Sequence, residues 1–229
     1  MQTLRPALVP LLLTLGMAPC AHAAAPKTHT VTLGSIRKVP YNPPGATPSS
    51  DSTLKVRPLL VDGRQKEWTT GDAHDVTDRS FTIRRAIRLN DALPADPAAH
   101  WVWQPGSWLL VDRTTGHITA LHLPDFDAAV SSVVWFRDYA AYCGVATTAK
   151  GGLFAVVAQL SGTATARRVA QKQIEKWPRP NASIPVCQPA EWQRQPIRAT
   201  IRPVNDDPIT FDIVGAASLV EEGDNDDAQ

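Results

Sequence analysis

Residues 107–173 read SWLLVDRTTGHITALHLPDFDAAVSSVVWFRDYAAYCGVATTAKGGLFAVVAQLSGTATARRVAQKQ, and this stretch gives the clearest indication of the fold class. Short apolar runs follow one another at intervals of about ten residues, with turn-type residues between most of them, which is typical of an antiparallel all-β meander. The uninterrupted apolar segments LLV and FAVV predict strands that are covered on both faces. The runs are WLLVD (108–112), HITALHL (117–123), SVVWF (132–136), YAAYCGV (139–145), LFAVVAQL (153–160) and RVAQKQ (168–173).

The β-type pattern continues outward from this stretch on both sides. On the N-terminal side, VRPLLVD (56–62) ends at Asp62-Gly63, a strong turn dipeptide. SFTIRRAIRL (80–89) also fits a helix capped by Asp78, but its apolar alternation favours a strand. On the C-terminal side, residues 197–213 predict a last hairpin. We therefore expect one β-rich globular domain over residues 54–215.

The stretch 107–173 resembles β-propeller blade sequence, because WLLVDRTTGHITALHL looks like the outer half of a blade and four short strands follow it. No second copy with matching key residues is visible, so the resemblance implies propeller-like partial blades or a β-sandwich and not a closed ring. A second segment, LVDGRQKEW (60–68), is similar to the DG-x-x-x-EW opening of some secreted carbohydrate-binding β-sandwich modules. In those modules the opening is structural, so this resemblance implies a fold more than a ligand.

Both ends of the chain have distinct compositions. Residues 1–23 resemble a secretory signal, with Arg5, a short apolar run and an A-x-A cleavage site that ends at Ala23. A lipidated Cys20 is the alternative, but Pro19 stands where lipoprotein signals carry a small residue. We expect a periplasmic or extracellular protein without a transmembrane segment. Residues 24–53 predict an extended segment that contains one short strand candidate, HTVTLGSIRKVPY (29–41), and a flexible Pro-rich linker. Residues 216–229 predict an acidic, disordered tail.

Two cysteines remain once the signal is removed, Cys143 and Cys187. In an oxidising compartment such a pair is most simply a disulfide. The alternative is that Cys143 acts as a nucleophile with a histidine base. The strand YAAYCGV offers no adjacent basic residue to favour a thiolate, so the disulfide is predicted.

Charge and motifs exclude several function classes. The 229-residue chain has 23 basic and 22 acidic residues, and removal of Arg5 with the signal leaves 22 of each. This balance provides no strong field toward nucleic acid or an anionic membrane. No P-loop, dinucleotide fingerprint, HExxH or G-x-S-x-G is present, and no cofactor is expected.

The best polar constellation is His74, Asp75 and Asp78, within HDVTDR. These side chains could bind a metal or form an acid–base set. Because they are close together in the sequence, the favoured interpretation is a polar turn whose aspartates cap backbone N–H groups. No catalytic or metal residue is therefore assigned.

Tryptophan and arginine supply the candidate binding surface: Trp68, Trp103, Arg84 and Arg88. Both residue types are over-represented at binding hot spots, although packing in the core or a solvated strand face would also explain them. The leading hypothesis is an exported, non-enzymatic β-rich protein that binds a partner protein or a cell-envelope glycan. The alternatives are a secreted hydrolase that uses His74, Asp75 or Asp78, and a structural component of the envelope.

Overall fold

The computed structural model describes residues 28–41, 43, 52–95, 97–146, 151–162, 164–175, 187–214 and 216–220. Within these residues the regular structure is antiparallel β-sheet, which confirms the all-β prediction. The same residues include no helix of a length and apolarity that could span a bilayer. The predicted signal at 1–23, the linker residues 44–51 and the acidic residues 221–229 lie outside the described part of the chain.

The strands form three sheets that follow one another along the chain. Sheet I contains β1 (Val31–Leu33), β2 (Arg37–Pro40), β3 (Thr53–Val61), β4 (Arg64–Thr77), β5 (Ser80–Asn90), β6 (Trp101–Asp112) and β7 (Ile118–Leu121). Sheet II contains β8 (Val134–Phe136), β9 (Tyr139–Ala146), β10 (Gly152–Leu160) and β11 (Ala166–Glu175). Sheet III contains β12 (Glu191–Arg194), β13 (Ile197–Ile201), β14 (Ile209–Val214) and β15 (Ala216–Val220).

Sheet II is the middle layer, and its inner strands β9 and β10 are buried on both faces, as the apolar run FAVV predicts. Tyr142 and Val156 lie opposite each other and pack against Trp108 of sheet I. Cys143 and Ala155, the next pair along, pack against Phe211 of sheet III. Because adjacent strand residues point to opposite faces, one pair of strands contributes to two hydrophobic cores.

Sheet I begins earlier than expected, because residues 24–53, with a short strand candidate at 29–41, were predicted to lie outside the domain. Instead β1 and β2 both pair with β3, β1 along its second half and β2 along its first half. The break between them lies beside Pro58, whose carbonyl accepts the N–H of Gly34 at 2.8 Å. Proline has no N–H to pair with a neighbouring strand, so a break at this position leaves no donor unsatisfied.

Sheet III extends the predicted C-terminal hairpin. The hairpin forms between β13 and β14, and β12 and β15 add one strand on each side. The domain was expected to end at residue 215, with a disordered tail from residue 216. Residues 216–220 instead form β15, which pairs with β14 from Val214↔Ala216 to Thr210↔Val220. The sheet therefore continues past the predicted boundary.

The turn between β6 and β7 closes against the start of sheet I. His29 donates its N–H to the carbonyl of Thr114 at 2.9 Å. Gly116 has a φ of +66°, and a Cβ there would lie 2.6 Å from Cγ1 of Val61, so a side chain at this position would collide with β3. Sheet I thus curls far enough for its first strands to meet its last turn.

Asp112 holds this turn through its carboxylate, which accepts the N–H groups of Thr114 at 2.7 Å and Thr115 at 2.8 Å. The hydrogen bond from the Thr115 backbone is the main reason that the pKa of Asp112 is lowered, and the Arg79 guanidinium, 3.8 Å away, adds to it. The ionised carboxylate is therefore part of the turn structure.

The predicted disulfide forms between Cys143 and Cys187, whose Cα atoms are 6.4 Å apart. Cys143 lies on β9, and Cys187 makes an isolated bridge with Pro203 beside sheet III. The bond therefore fastens the segment that leads into sheet III to the middle layer.

Replacing both Cys143 and Cys187 by alanine should lower the free energy of unfolding by about 4 kcal/mol, because the bridge constrains a 44-residue separation in the unfolded chain. Urea denaturation measures the loss. Reductant should lower the midpoint of the wild type and leave that of the variant unchanged. Two free thiols in the untreated, folded protein would contradict the pairing.

Asp112→Asn should destabilise the protein at pH 7, and the difference from the wild type should shrink below about pH 4. Folding lowers this pKa, so the carboxylate contributes stability above its unfolded pKa and loses the contribution as pH falls through its folded pKa. Urea midpoints of both proteins at pH 7 and pH 3 provide the comparison. If the urea midpoints of the two proteins differed by the same amount at pH 7 and pH 3, the negative charge of Asp112 would not contribute to stability.

Candidate functional site

The β5–β6 hairpin carries most of the predicted binding residues. Residues 80–89 form a strand, as predicted, and β5 pairs with β6 along the whole hairpin, from Ser80↔Asp112 to Asn90↔Trp101. The pairing of β4 with β5 reaches only as far as Arg85. The outer half of the hairpin is therefore a two-stranded ribbon that extends past the β4–β5 pairing.

An irregularity in this hairpin determines which side chains share a face. The register shifts between Arg84 and Ala86, where two residues of β6 stand against one of β5. Residues directly opposite each other lie on one face of a sheet, so the shift brings alternate positions of β6 onto the face that carries Trp108. The opposed pairs on this face are Arg84–Trp108, Ala86–Pro105, Arg88–Trp103 and Asn90–Trp101.

A continuous set of aromatic rings and guanidinium groups results, which we call the Trp/Arg strip: Arg37, Trp68, Trp103, Arg88 and Trp101. The rings of Trp68 and Trp103 meet edge to face, with their centroids 5.6 Å apart. The Arg37 guanidinium lies 4.2 Å from the Trp68 ring centroid, and that of Arg88 lies 5.2 Å from the Trp101 centroid. Three of the four residues predicted from the sequence thus belong to one surface.

The strip is exposed at its outer end. Trp101 is 52% exposed. Leu89, which pairs with Val102 and so lies on the other face of the ribbon, is 42% exposed, and Leu93 in the loop that follows β5 is 70% exposed. The loop between the two strands is held by Asn90, whose side-chain oxygen accepts the N–H groups of Ala92 at 3.2 Å and His100 at 2.8 Å. Large apolar side chains are therefore presented to solvent by an ordered ribbon.

Arg84, the fourth predicted residue, has a different environment. It donates from Nη2 to the carbonyl of Ala128 at 2.6 Å and from Nε to the carbonyl of Gly106 at 3.2 Å. Burial lowers the pKa of its guanidinium from the ordinary value, although Tyr41 opposes this effect. Arg84 faces the same side as Arg88, but the loop that contains Ala128 covers it, so it fastens that loop to the hairpin.

Of the three predicted residues, Asp75 and Asp78 line one small surface depression together with Arg113, whereas His74 lies elsewhere. His74 and Asp75 are adjacent on β4, so their side chains point to opposite faces. His74 stacks on Trp135 and forms a hydrogen bond from Nε2 to the carbonyl of Arg137 at 2.7 Å, whereas Asp75 pairs with Arg113. Among the described residues, no group of three or more potential ligands could hold a metal ion.

The turn that follows β4 is stabilised by Thr77 and not by the predicted aspartates. Its hydroxyl oxygen accepts the N–H groups of Arg79 at 3.2 Å and Ser80 at 3.1 Å. A threonine that accepts from residues two and three positions later is a common turn motif. The sequence HDVTDR contains this signal, because Thr77 stands two positions before Arg79 and three before Ser80.

A scan against protein-family models, a search of curated proteins and a search of solved structures each found no match to this chain. The resemblance of residues 107–173 to propeller blades therefore stays a prediction. What the fold does contain is two consecutive four-stranded meanders, sheets II and III, packed face to face. Conclusions about function depend on the site geometry.

Arg84→Met should lower the free energy of unfolding by about 1–3 kcal/mol, because the partly buried carbonyls of Gly106 and Ala128 lose charged donors. The matched variant Arg88→Met, four residues along the same strand, should change it by less than about 0.5 kcal/mol, since Arg88 is exposed. Urea denaturation of the two variants tests the contrast. Equal losses would show that the two arginines have the same structural role.

Proposed function

We propose that this chain is an exported, non-enzymatic protein that binds a partner protein through the Trp/Arg strip. The observation that carries the proposal is the edge-to-face contact of Trp68 and Trp103, continued by Arg88 and Trp101 onto the exposed ribbon. Tryptophan and arginine are enriched at the energetic centres of protein interfaces. Exposed apolar side chains on an ordered element provide the area that such an interface buries.

The geometry favours a protein over a glycan at this surface. Guanidinium groups already lie over the rings of Trp68 and Trp101, so one face of each ring is covered. A sugar ring needs a free, flat aromatic face to stack on. A guanidinium stacked on an aromatic ring keeps its N–H donors directed outward, where carboxylates of a partner can accept them.

The charge of the strip indicates the chemistry of the partner. Within the described part of the chain, Arg37 and Arg88 make no ion pair, whereas the nearby Arg85 pairs with Glu67. Two exposed cations, Arg37 on Trp68 and Arg88 on the exposed Trp101, would complement a surface that carries both carboxylates and apolar side chains. Such complementarity mainly raises the association rate and the specificity of a complex.

Two features support export. The sequence of residues 1–23 resembles a secretory signal, and the Cys143–Cys187 bond is compatible with an oxidising compartment. Thiols of cytosolic proteins are generally kept reduced, so a disulfide that joins two layers of the fold suits a protein that folds outside the cytosol.

Arg88→Glu and Trp101→Ala should each weaken partner binding by about tenfold or more, because they remove a charged or an aromatic contact worth at least about 1.4 kcal/mol. The partner is first captured from envelope extract on the immobilised wild type. Its affinity for purified wild type and variants is then measured by surface plasmon resonance.

The matched control is Arg194→Glu, a charge reversal at an exposed position of sheet III. Arg194→Glu should leave the affinity for the partner unchanged. Arg88→Glu and Arg194→Glu should both unfold at the same urea concentration as the wild type. A partner that binds Arg88→Glu and Trp101→Ala as tightly as the wild type would place the interface elsewhere on the molecule.

A further inference from the structure

A cleft of about 730 Å³ lies at the other end of the β5–β6 hairpin from the Trp/Arg strip. Ser80 and Asp112, which pair with each other, line this cleft, whereas Asn90 and Trp101 pair at the strip end. At about 3.3 Å per residue, the two ends of the strand are roughly 33 Å apart. The cleft is therefore independent of the surface proposed to bind a protein.

Two sheets form the walls of the cleft. Sheet I contributes the ends of β4, β5 and β6 and the turn before β7, and sheet II contributes the turn before β9 and the end of β10. Small-molecule sites are typically about 300–1,000 Å³ and lie between structural units, so both the volume and the location fit a ligand site. A cleft of this size is much larger than a single ion requires.

The lining combines hydroxyl groups, carboxylates and aliphatic side chains. Thr119 and Ser80 supply hydroxyls, and that of Ser80 also bonds the Thr77 hydroxyl at 2.8 Å. Asp112 and Asp138 supply carboxylates, and one oxygen of Asp138 also accepts from the Gln159 side chain at 2.8 Å. Leu110, Leu160 and Val76 contribute apolar surface between these polar groups. Donors and acceptors thus alternate with aliphatic patches, which matches a ligand that has both hydroxyl groups and C–H surface.

The charge of the lining excludes a strongly anionic ligand. Among the described lining residues, Asp112 and Asp138 are carboxylates, His117 is an imidazole, and the one arginine, Arg79, already lies 3.8 Å from Asp112. A phosphate or carboxylate ligand would meet two carboxylates there and one permanent cation, which is shared with Asp112. A neutral ligand meets no such repulsion, and carboxylates are strong acceptors for its hydroxyl groups.

We propose that the cleft between sheets I and II binds a neutral saccharide of one or two rings. Its hydroxyl groups donate to Asp112 and Asp138 and exchange hydrogen bonds with Ser80 and Thr119. Its C–H surface lies on Leu110 and Leu160. The site does not depend on the Trp/Arg strip, so the protein would bind a sugar and a partner at separate places.

Saturation-transfer difference NMR on the full chain tests this proposal. The probes are glucose, galactose, N-acetylglucosamine, maltose and N,N′-diacetylchitobiose. Spermidine is the cationic arm of the panel, and inorganic phosphate, whose binding is followed by broadening of its ³¹P line because it has no C–H protons, is the anionic arm. At least one saccharide should receive saturation from the wild type. Thr119→Trp fills the cleft and should therefore weaken the affinity for that saccharide by about tenfold or more, which corresponds to at least about 1.4 kcal/mol of binding free energy.

The matched control is Ala120→Trp, the next residue of β7, which is exposed and points to the opposite face. It should bind the saccharide as the wild type does. If Thr119→Trp fails to fold, Ala164→Leu narrows the cleft from the sheet II side and should have the same effect. Arg88→Glu should leave saccharide binding intact, which separates this proposal from the partner-binding proposal.

Three results would overturn the proposal. The first is no saturation transfer to any of the saccharides. The second is saccharide binding that Thr119→Trp and Ala164→Leu leave unchanged. The third is binding of spermidine or phosphate without any saccharide, which would show that the cleft selects charge and not hydroxyl groups.

Discussion

The burial of sheet II on both faces is the constraint that the other sheets satisfy. Its inner strands place Tyr142 and Val156 on one side and Cys143 and Val157 on the other, so neither face can remain in water. Sheet I covers the first side and sheet III covers the second. The small residues of these strands allow close approach on both sides, among them Ala140, Ala141, Ala155 and Ala158, all at most 1% exposed.

Local patterns in the sequence were sufficient for much of the fold. The strands of sheet II, the turn at Asp62-Gly63 and the last hairpin each have a signal within ten residues, in apolar runs or turn dipeptides. The edges of the fold did not follow from such signals. Residues 29–41 do have a local strand pattern, but their division into β1 and β2 along the edge of β3 does not follow from it. Residues 216–220 become a strand because β14 offers them a free edge, and no window of neighbouring residues contains that information.

The residue types of the candidate site could be predicted from the sequence, but which of these residues lie together on one surface could not. Tryptophan and arginine correctly marked Trp68, Trp103 and Arg88, yet Arg37 and Trp101 were missed, because their contact with the strip depends on the β2–β3 pairing and on the register shift in β5–β6. Arg84 lies under a loop that is 44 residues away in the sequence. The cleft joins two sheets, so no single motif could reveal it.

The order of the sheets along the chain has a consequence for how the molecule assembles. Each sheet is built from consecutive strands, so each can complete its hydrogen bonds as soon as its own last strand has left the ribosome or a translocation channel. Sheet II, however, exposes one apolar face until sheet III arrives. Until sheet III covers that face, Val157, Ala155 and the thiol of Cys143 are exposed to solvent and to other chains. Formation of the disulfide with Cys187 can follow only when the segment that leads into sheet III has reached this face.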